Sequence, residues 1–396
     1  MISNLPPVRI LTTISHIEWL AERLTGEQRI AVDLESDGFY VYHEKTCLLQ
    51  LSSEKEDFIV DPLAAKDLSP LRHIFADPAI EKVFHAAEYD LLRLRTDFNF
   101  SIRGLFDTMA AARTMGSAKL GLAPLIEHHF GVALSKKLQR ANWGKRPLSD
   151  EQLQYARLDT HFLLRLRDKI EAELIERGLL EEARETFRRL ERVVTKPREF
   201  DPDDFWRLSG ARELTPVGRA VLRELYIFRE RTACELDRAA FRVMPEQILA
   251  VIAADRPSTR EHLQNVLGMT PYLFEHFAEG LLAAIERGLA AEPIDRPPER
   301  PAGSRWDAGT ARRYELLRAW RKKLADERGV NPVVILETDE VKSLAEAPSK
   351  SEDEASWLVS LSDFKRESYG EQLKALLRES LAHQAPPGRK RRRGRR

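Results

Sequence analysis

Residues 29–38 read RIAVDLESDG, and the first seven of them, Arg29 to Glu35, decide how the first half of the chain folds. The run is short, apolar and bounded by polar and turn residues, which predicts a β-strand. Side chains two apart on a strand share a face, so Val32 and Leu34 take the buried side and Asp33 and Glu35 project together from the other. Ser36-Asp37-Gly38 ends the strand just beyond them. Two anions converging there without compensation are costly to bury, and a divalent cation removes the cost. Asp-x-Glu alone does not decide this, because acids at a strand end more often simply face water.

Further along, Cys47 to Ser52 (CLLQLS), Phe58 to Asp61 (FIVD) and Lys82 to His85 (KVFH) read as strands of the same kind, with helices at Ile14 to Leu24 and Pro70 to Phe75. From Asp107 the pattern turns helical, with helices predicted at Thr108 to Met115, Leu122 to Phe130 and Asp150 to Ile170. The expectation is an α/β domain with a mixed sheet and a helical second half.

A Pro- and Asp-rich joint, TKPREFDPDD, interrupts the helices after about Val194. Short amphipathic helices occupy Phe205 to Leu289. A second joint, EPIDRPPERPAGS, has four prolines and reads as extended and semi-rigid. The two helical stretches share a plan. The long helix Leu222 to Asp237 has its counterpart in Tyr314 to Arg328, and a short apolar segment with a proline follows each, FRVMPEQIL and GVNPVVIL. That predicts a diverged internal duplication. The expected units are 1–195, a linker 196–204, a helical unit 205–289, a Pro-rich linker 290–306, a second helical unit 307–383 and a disordered basic tail 384–396.

The 396 residues suit two or three domains, and an apolar share of 43% suffices for real cores. Cys47 and Cys234 offer neither a disulfide framework nor zinc spacing, which suits a reducing cytosol. No secretory signal or membrane span is evident, so a cytoplasmic location without membrane association is expected. The balance of 63 acids against 63 bases argues against a purely electrostatic nucleic-acid coat and allows charges sorted by region. The terminal RKRRRGRR, Arg389 to Arg396, reads either as a phosphate-seeking arm or as a solubilising tail.

Two further places supply chemistry. Asp90 follows the strand KVFH in the first turns of a helix whose buried side is Leu91, Leu92 and Leu94. Tyr155 and Asp159, four apart on a helix, share a face, so a carboxylate and a phenol able to hydrogen-bond water or phosphate point into the same space. His85 ends its strand; such a histidine is commonly a packed residue, and in an active-site reading it lies near the scissile phosphate. Asp107 reads as a helix N-cap and stays outside the set. Oxygen-only ligands suit magnesium or manganese, and two such ions typically sit ~3.5–4 Å apart, one activating a water and the other stabilising the leaving oxygen.

VDLES, KVFHAAEYDLL and NWGKRPLSDEQLQYARLDTHFLL, in this order and spacing, closely resemble the three exonuclease motifs of the DEDD 3′–5′ exonuclease superfamily, in its tyrosine subtype. FDTMAAARTMG and GLAPLIEHHFGVALSKKLQRANW look specifically like the ribonuclease D family. The helical units resemble HRDC domains, the first, through FWRLSGARELTPVGRAVLRELYIFRERTACELDRAAFRVMPEQIL, better than the second.

The resemblance implies a ribonuclease H-like fold and a two-metal exonuclease using Mg2+ or Mn2+. It would release 5′-mononucleotides from RNA 3′ ends, with tRNA precursors as the usual substrate and no protein partner inferable. Carried over by position, Asp33, Glu35, Asp90 and Asp159 would bind metal and Tyr155 would orient the attacking water. YARLD departs from the small residues usual before the last aspartate, which leaves Arg157 and Leu158 facing outward or touching substrate.

For substrate contact the candidates are His85, Phe39, Lys136, Arg140, Trp143 and Arg146. Lys136 to Arg146, KKLQRANWGKR, interleaves five basic residues with one tryptophan. On composition alone it reads as a solvated loop with Trp143 packed as an anchor. Its place just before the Tyr155 helix, together with the resemblance, turns the reading toward phosphate binding and base stacking. Phe39 follows Glu35 closely enough to wedge against a terminal base. Arg219, Arg223, Arg312 and Arg313 are candidates to hold the RNA body, or plain solvated helix faces. A DNA exonuclease uses the same cage, since metals grip phosphates and not sugars, and a binding adaptor with a relic first domain is the alternative outside enzymes.

Overall fold

The computed structural model describes residues 8–192, 199–297, 306–351 and 353–382. Parts of both expected linkers and the basic run Arg389 to Arg396 lie outside the described residues.

The expected strand at Arg29 is the centre of a six-stranded mixed sheet of order β1-β4-β3-β2-β5-β6. Its strands are β1 (Arg9–Leu11), β2 (Arg29–Ser36), β3 (Thr46–Ser52), β4 (Asp57–Val60), β5 (Glu81–Phe84) and β6 (Leu105–Asp107). β3 runs antiparallel to both neighbours, and the remaining pairs are parallel. The helices of this half are α1 (Ile14–Thr25), α2 (Pro62–Ala65), α3 (Arg72–Ala76), α4 (Glu88–Phe98), α5 (Thr108–Thr114), α6 (Leu122–Phe130), α7 (Asp150–His161), α8 (Leu163–Glu176) and α9 (Leu180–Arg192). The helix expected over Asp150 to Ile170 is therefore two. Phe162 leaves the helical ladder between them while its side chain stays buried.

On one face of the sheet Val32, Leu34, Leu49 and Leu51 join the main core. On the other lie Asp33 and Glu35 of β2, Leu48, Gln50 and Ser52 of β3, and Ile59 and Asp57 of β4. α7 covers this face. Ser149 caps it, with Gln152 closing a capping box, Leu48 and Ile59 pack with Ala156, and Ser52 Oγ bonds Thr160 Oγ1 at 2.7 Å. Arg157 locks the arrangement. Its guanidinium is 2% exposed and sits 2.6 Å from Asp57 Oδ2, which His161 Nδ1 meets at 2.9 Å. Arg157 thus faces inward as a structural anchor, and Leu158 packs against the core; neither faces solvent as a substrate contact would.

The second half is helical throughout. α10 (Pro216–Glu235), α11 (Ala240–Val243), α12 (Glu246–Asp255), α13 (Arg260–Gln264) and α14 (Pro271–Ala290) enclose their own core. α15 (Ala308–Arg328), α16 (Pro332–Ile335), α17 (Thr338–Lys350), α18 (Glu354–Trp357) and α19 (Asp363–Ala382) repeat the plan of one long helix, a short apolar one and a closing long one. Thr215, Thr270 and Asp307 cap α10, α14 and α15.

The first helical unit grips the loop that follows β2. Ala239 N–H donates to Tyr40 O at 3.1 Å, His43 N–H to Asp237 Oδ1 at 2.9 Å, and Arg242 lies 4.0 Å from the Tyr40 ring centre while bonding Phe39 O. The second unit is continuous with the main core and is pinned to α9, where Arg328 meets Glu182 and Lys365 lies 3.5 Å from Glu185. The duplicated helices do not present all the expected arginines to solvent. Arg219 donates to Asp295 O at 2.6 Å and Arg212 O at 2.9 Å, Arg223 pairs with Asp203, and Arg313 is buried against Ala345 O.

Candidate active site

β2 and α7 bring Asp33, Glu35 and Asp159 together. One oxygen from each lies within 4.8 Å of the others, the one such group of potential ligands among the described residues. All three are half-buried. Asp90, on the first turn of α4, lies outside this tight trio and is 7% exposed, yet its charge acts on Glu35, and those of Asp33 and Asp159 act on it.

The electrostatics are those of crowded anions. Burial pushes the Asp33 carboxyl up to about 7. Burial, then Asp33, Asp159 and Asp90, hold Glu35 well above the usual range. Burial, then Asp33, Asp107 and Asp159, do the same to Asp90, and burial with Asp33 to Asp159. Among the described residues no basic side chain is a cause of these shifts. Unpaired buried carboxylates either keep protons or take a cation. A half-open, oxygen-only donor set fits a hard divalent ion.

The trio opens into a cleft of about 370 Å³ that His85, Ala86, Lys136, Gln139 and Tyr155 also line, together with Gly121, which begins α6 without a side-chain cap. Tyr155 is held in its protonated form by burial and by the charges of Asp159, Glu35 and Asp33, so it offers this cleft a hydrogen-bond donor. His85 Nδ1 sits 2.9 Å from Thr108 Oγ1, and burial lowers its pKa, leaving it neutral in the physiological range.

Asp107 has a larger part than capping α5. Its carboxylate accepts from Met109 N (2.8 Å) and Ala110 N (3.0 Å), and also from Ala86 N (3.1 Å) and Ala87 N (2.8 Å). It thereby fixes the turn into α4, where Ala86 has φ 64°. Sequence reading finds the cap and misses the second pair of donors, which belong to a strand connection about twenty residues earlier. Asp107→Ala should cost about 2 kcal/mol, the upper end for a lost cap. Chemical denaturation measures that cost, and turnover should fall further than the loss of folded protein explains, because Asp90 rides on the same turn.

The remaining substrate candidates separate. Lys136 reaches the cleft. Phe39 is 44% exposed, with Arg140 stacked 5.6 Å from its ring centre, and neither lines the cleft. Trp143 is 1% exposed and packs behind Tyr155 at 5.9 Å between ring centres, so it supports the tyrosine and cannot stack a base. Arg146 is consumed by a bidentate pair with Asp61 (2.6 and 2.9 Å) and by the Cys47 and Trp143 carbonyls, which corrects its expected role as a phosphate contact.

A family profile described as 3′–5′ exonuclease matches residues 8–175, and one described as HRDC domain matches twice, at 218–285 and 310–377. The double match accounts for the repeated helical plan. The exosome complex exonuclease RRP6 of Saccharomyces cerevisiae is 36% identical over 292 residues, 69% of this chain, and the chain spans only 39% of that protein's length. The crystal structure of the catalytic core of RRP6 from Trypanosoma brucei superposes with a TM-score of 0.63 at 30% identity, covering 72% of this chain and 80% of that one. Escherichia coli RNase D, described as an exoribonuclease involved in structured RNA processing, superposes with a TM-score of 0.62 at 26% identity over 94% and 99% of the two chains.

Proposed function

The chain belongs to the 3′–5′ exonuclease family that carries HRDC domains, and from that premise we propose that it is a metal-dependent 3′–5′ exoribonuclease with precursor tRNA among its substrates. The observation that carries the reading is the convergence of Asp33, Glu35 and Asp159, without a neutralising base among the described residues, beside a protonated Tyr155. The ribonuclease names of its relatives support RNA as the polymer. The helical joints support a division into an exonuclease unit 1–195 and HRDC units 205–289 and 307–383. No helix among the described residues is long and apolar enough to cross a membrane; a cytoplasmic site of action is part of the proposal.

In this reading Asp33, Glu35, Asp90 and Asp159 hold two divalent ions, Mg2+ or Mn2+, which when bound supply charge neutralisation at the phosphate and an acidified water. Tyr155 orients that water by hydrogen bonding. The cleft admits the last phosphodiester. Water oxygen attacks phosphorus, the 3′ oxygen of the penultimate nucleotide leaves, and a 5′-mononucleotide departs. Neutral His85 and the Lys136 ammonium, which both line the cleft, would hold the last phosphodiester, and the Phe39–Arg140 pair would stack the last base further out.

A 5′-labelled RNA carrying a 3′-extended tRNA end, incubated with Mg2+ or Mn2+ and with chelator, tests this. A ladder shortening from the 3′ end only with metal is expected. An intact RNA that is nonetheless bound would overturn the enzyme reading, and a matched DNA oligonucleotide cut equally well would overturn the RNA assignment. Tyr155→Phe should lower kcat about a hundredfold, the size of a lost positioned hydrogen bond to the reacting water, while leaving metal affinity unchanged; single-turnover kinetics across a Mn2+ titration separates the two.

A further inference from the structure

Gln50 lies on the site's face of the sheet, beside Asp33, and the function above does not use it. It is fully buried, and neither its Nε2 nor its Oε1 has a hydrogen-bond partner. A buried carboxamide with both ends unpaired costs several kcal/mol, so such a group calls for a reason.

Its position supplies one. Gln50 is the direct cross-strand neighbour of Asp33, and directly opposed residues on one face have Cβ atoms about 4.5–5.5 Å apart. Ile59 flanks it on the other side. Along β3 it stands between Leu48, which packs with Ala156, and Ser52, which bonds Thr160. The turn of α7 lying over it therefore runs from Ala156 to Thr160 and contains Asp159. An amide donor is thus buried beside Asp33 and under the helical turn that carries Asp159.

We propose that Gln50 is a positioning residue of the metal centre: its unpartnered Nε2 is the donor that the Asp33 carboxylate takes up when a divalent cation binds, holding it in the orientation the cation requires. The inference rests on reading the acidic trio as a metal site. Hydrogen bonds to ligating carboxylates fix their orientation, and removing such a partner typically costs about 10–100-fold in metal affinity. A residue serving only the fold would lose stability on replacement and leave Mn2+ affinity unchanged, whereas replacing an orphaned polar group by an apolar one of similar shape is neutral or stabilising.

The test uses the full chain stripped of metal, with Mn2+ itself as the probe. Free Mn2+ is measured by electron paramagnetic resonance for the parent, Gln50→Leu, Gln50→Met and Asp33→Asn, and each metal-free variant is melted. The expected result is Mn2+ affinity weakened about 10–100-fold in Gln50→Leu and Gln50→Met, at a melting temperature equal to or above the parent's, with excess Mn2+ restoring turnover. Parental affinity in either folded variant overturns the inference while leaving the metal site standing. Failure of both to fold also overturns it, since an unpaired amide then belongs to the fold alone. A parent that binds no Mn2+ and matches Asp33→Asn overturns the metal reading itself, and the inference with it.

Discussion

Asp33→Asn should lower RNA hydrolysis at saturating Mg2+ by at least about a thousandfold while leaving the metal-free protein as stable as the parent or more so. Both halves follow from the same geometry. Asp33 is the carboxylate whose charge acts on all three of the others, and it shares the 4.8 Å trio with Glu35 and Asp159. Asparagine keeps its size and one oxygen but removes the charge. Metal-centred stabilisation of transition-state charge is worth several kcal/mol, and each 1.36 kcal/mol is tenfold in rate, so losing one of the proposed central ligands should remove at least three decades. In the metal-free chain the same change relieves repulsion among half-buried acids. Turnover of a 3′-labelled oligonucleotide and a melting curve with chelator, on one preparation, measure the two effects. A folded Asp33→Asn protein with parental turnover would remove the trio from the mechanism.

The central strands were legible because each is an apolar run long enough to carry a pattern. β2, β3, β4 and β5 fall within one or two residues of their expected positions. β1 and β6 have three residues each, too few for any alternation to register, and they were missed. The helix expected from Asp150 to Ile170 breaks at Phe162, where no glycine or proline marks the interruption. At the site, Asp33, Glu35, Tyr155 and Asp159 were legible from strand and helix periodicity together with the order of the motifs.

The basic residues were not. Whether an arginine meets RNA or an acid depends on partners remote in sequence. Arg146 meets Asp61 85 residues away and Arg157 meets Asp57 at a separation of 100. Composition cannot reveal either pairing. The burial of Trp143 depends likewise on α7 and β3 closing over it. Gln50 needed the β2–β3 register, which a one-residue slip would have reversed to the opposite face.

The metal-free protein should lose stability as pH rises from about 4 to 8, and divalent metal should restore it. The sign is set by the raised carboxyls. Asp33 titrates near 3.8 when unfolded and about 7 when folded. Between those values the native state binds the extra proton, so stability falls with rising pH. The contribution is fully present below about 4 and gone above about 7. At 1.36 kcal/mol per unit, reduced for partial solvent access, Asp33 contributes on the order of 3 kcal/mol. A unit of this size should move its melting temperature by roughly 6–12 °C. Glu35, Asp90 and Asp159 shift in the same direction. If the ionised cluster binds a cation as proposed and the unfolded chain does not, Mn2+ at a hundred times its Kd adds about 2.7 kcal/mol. Binding must displace the retained protons, so affinity itself rises with pH. Melting curves at pH 5 and pH 8, with chelator and with Mn2+, therefore give a crossed pattern: the chelated protein melts lower at pH 8, and Mn2+ raises the melting temperature more at pH 8 than at pH 5. Equal melting at both pH values under chelator would mean that the four acids carry no excess protons in the fold. In Asp33→Asn the pH slope should be visibly shallower, which ties the effect to this cluster rather than to the many exposed acids elsewhere in the chain.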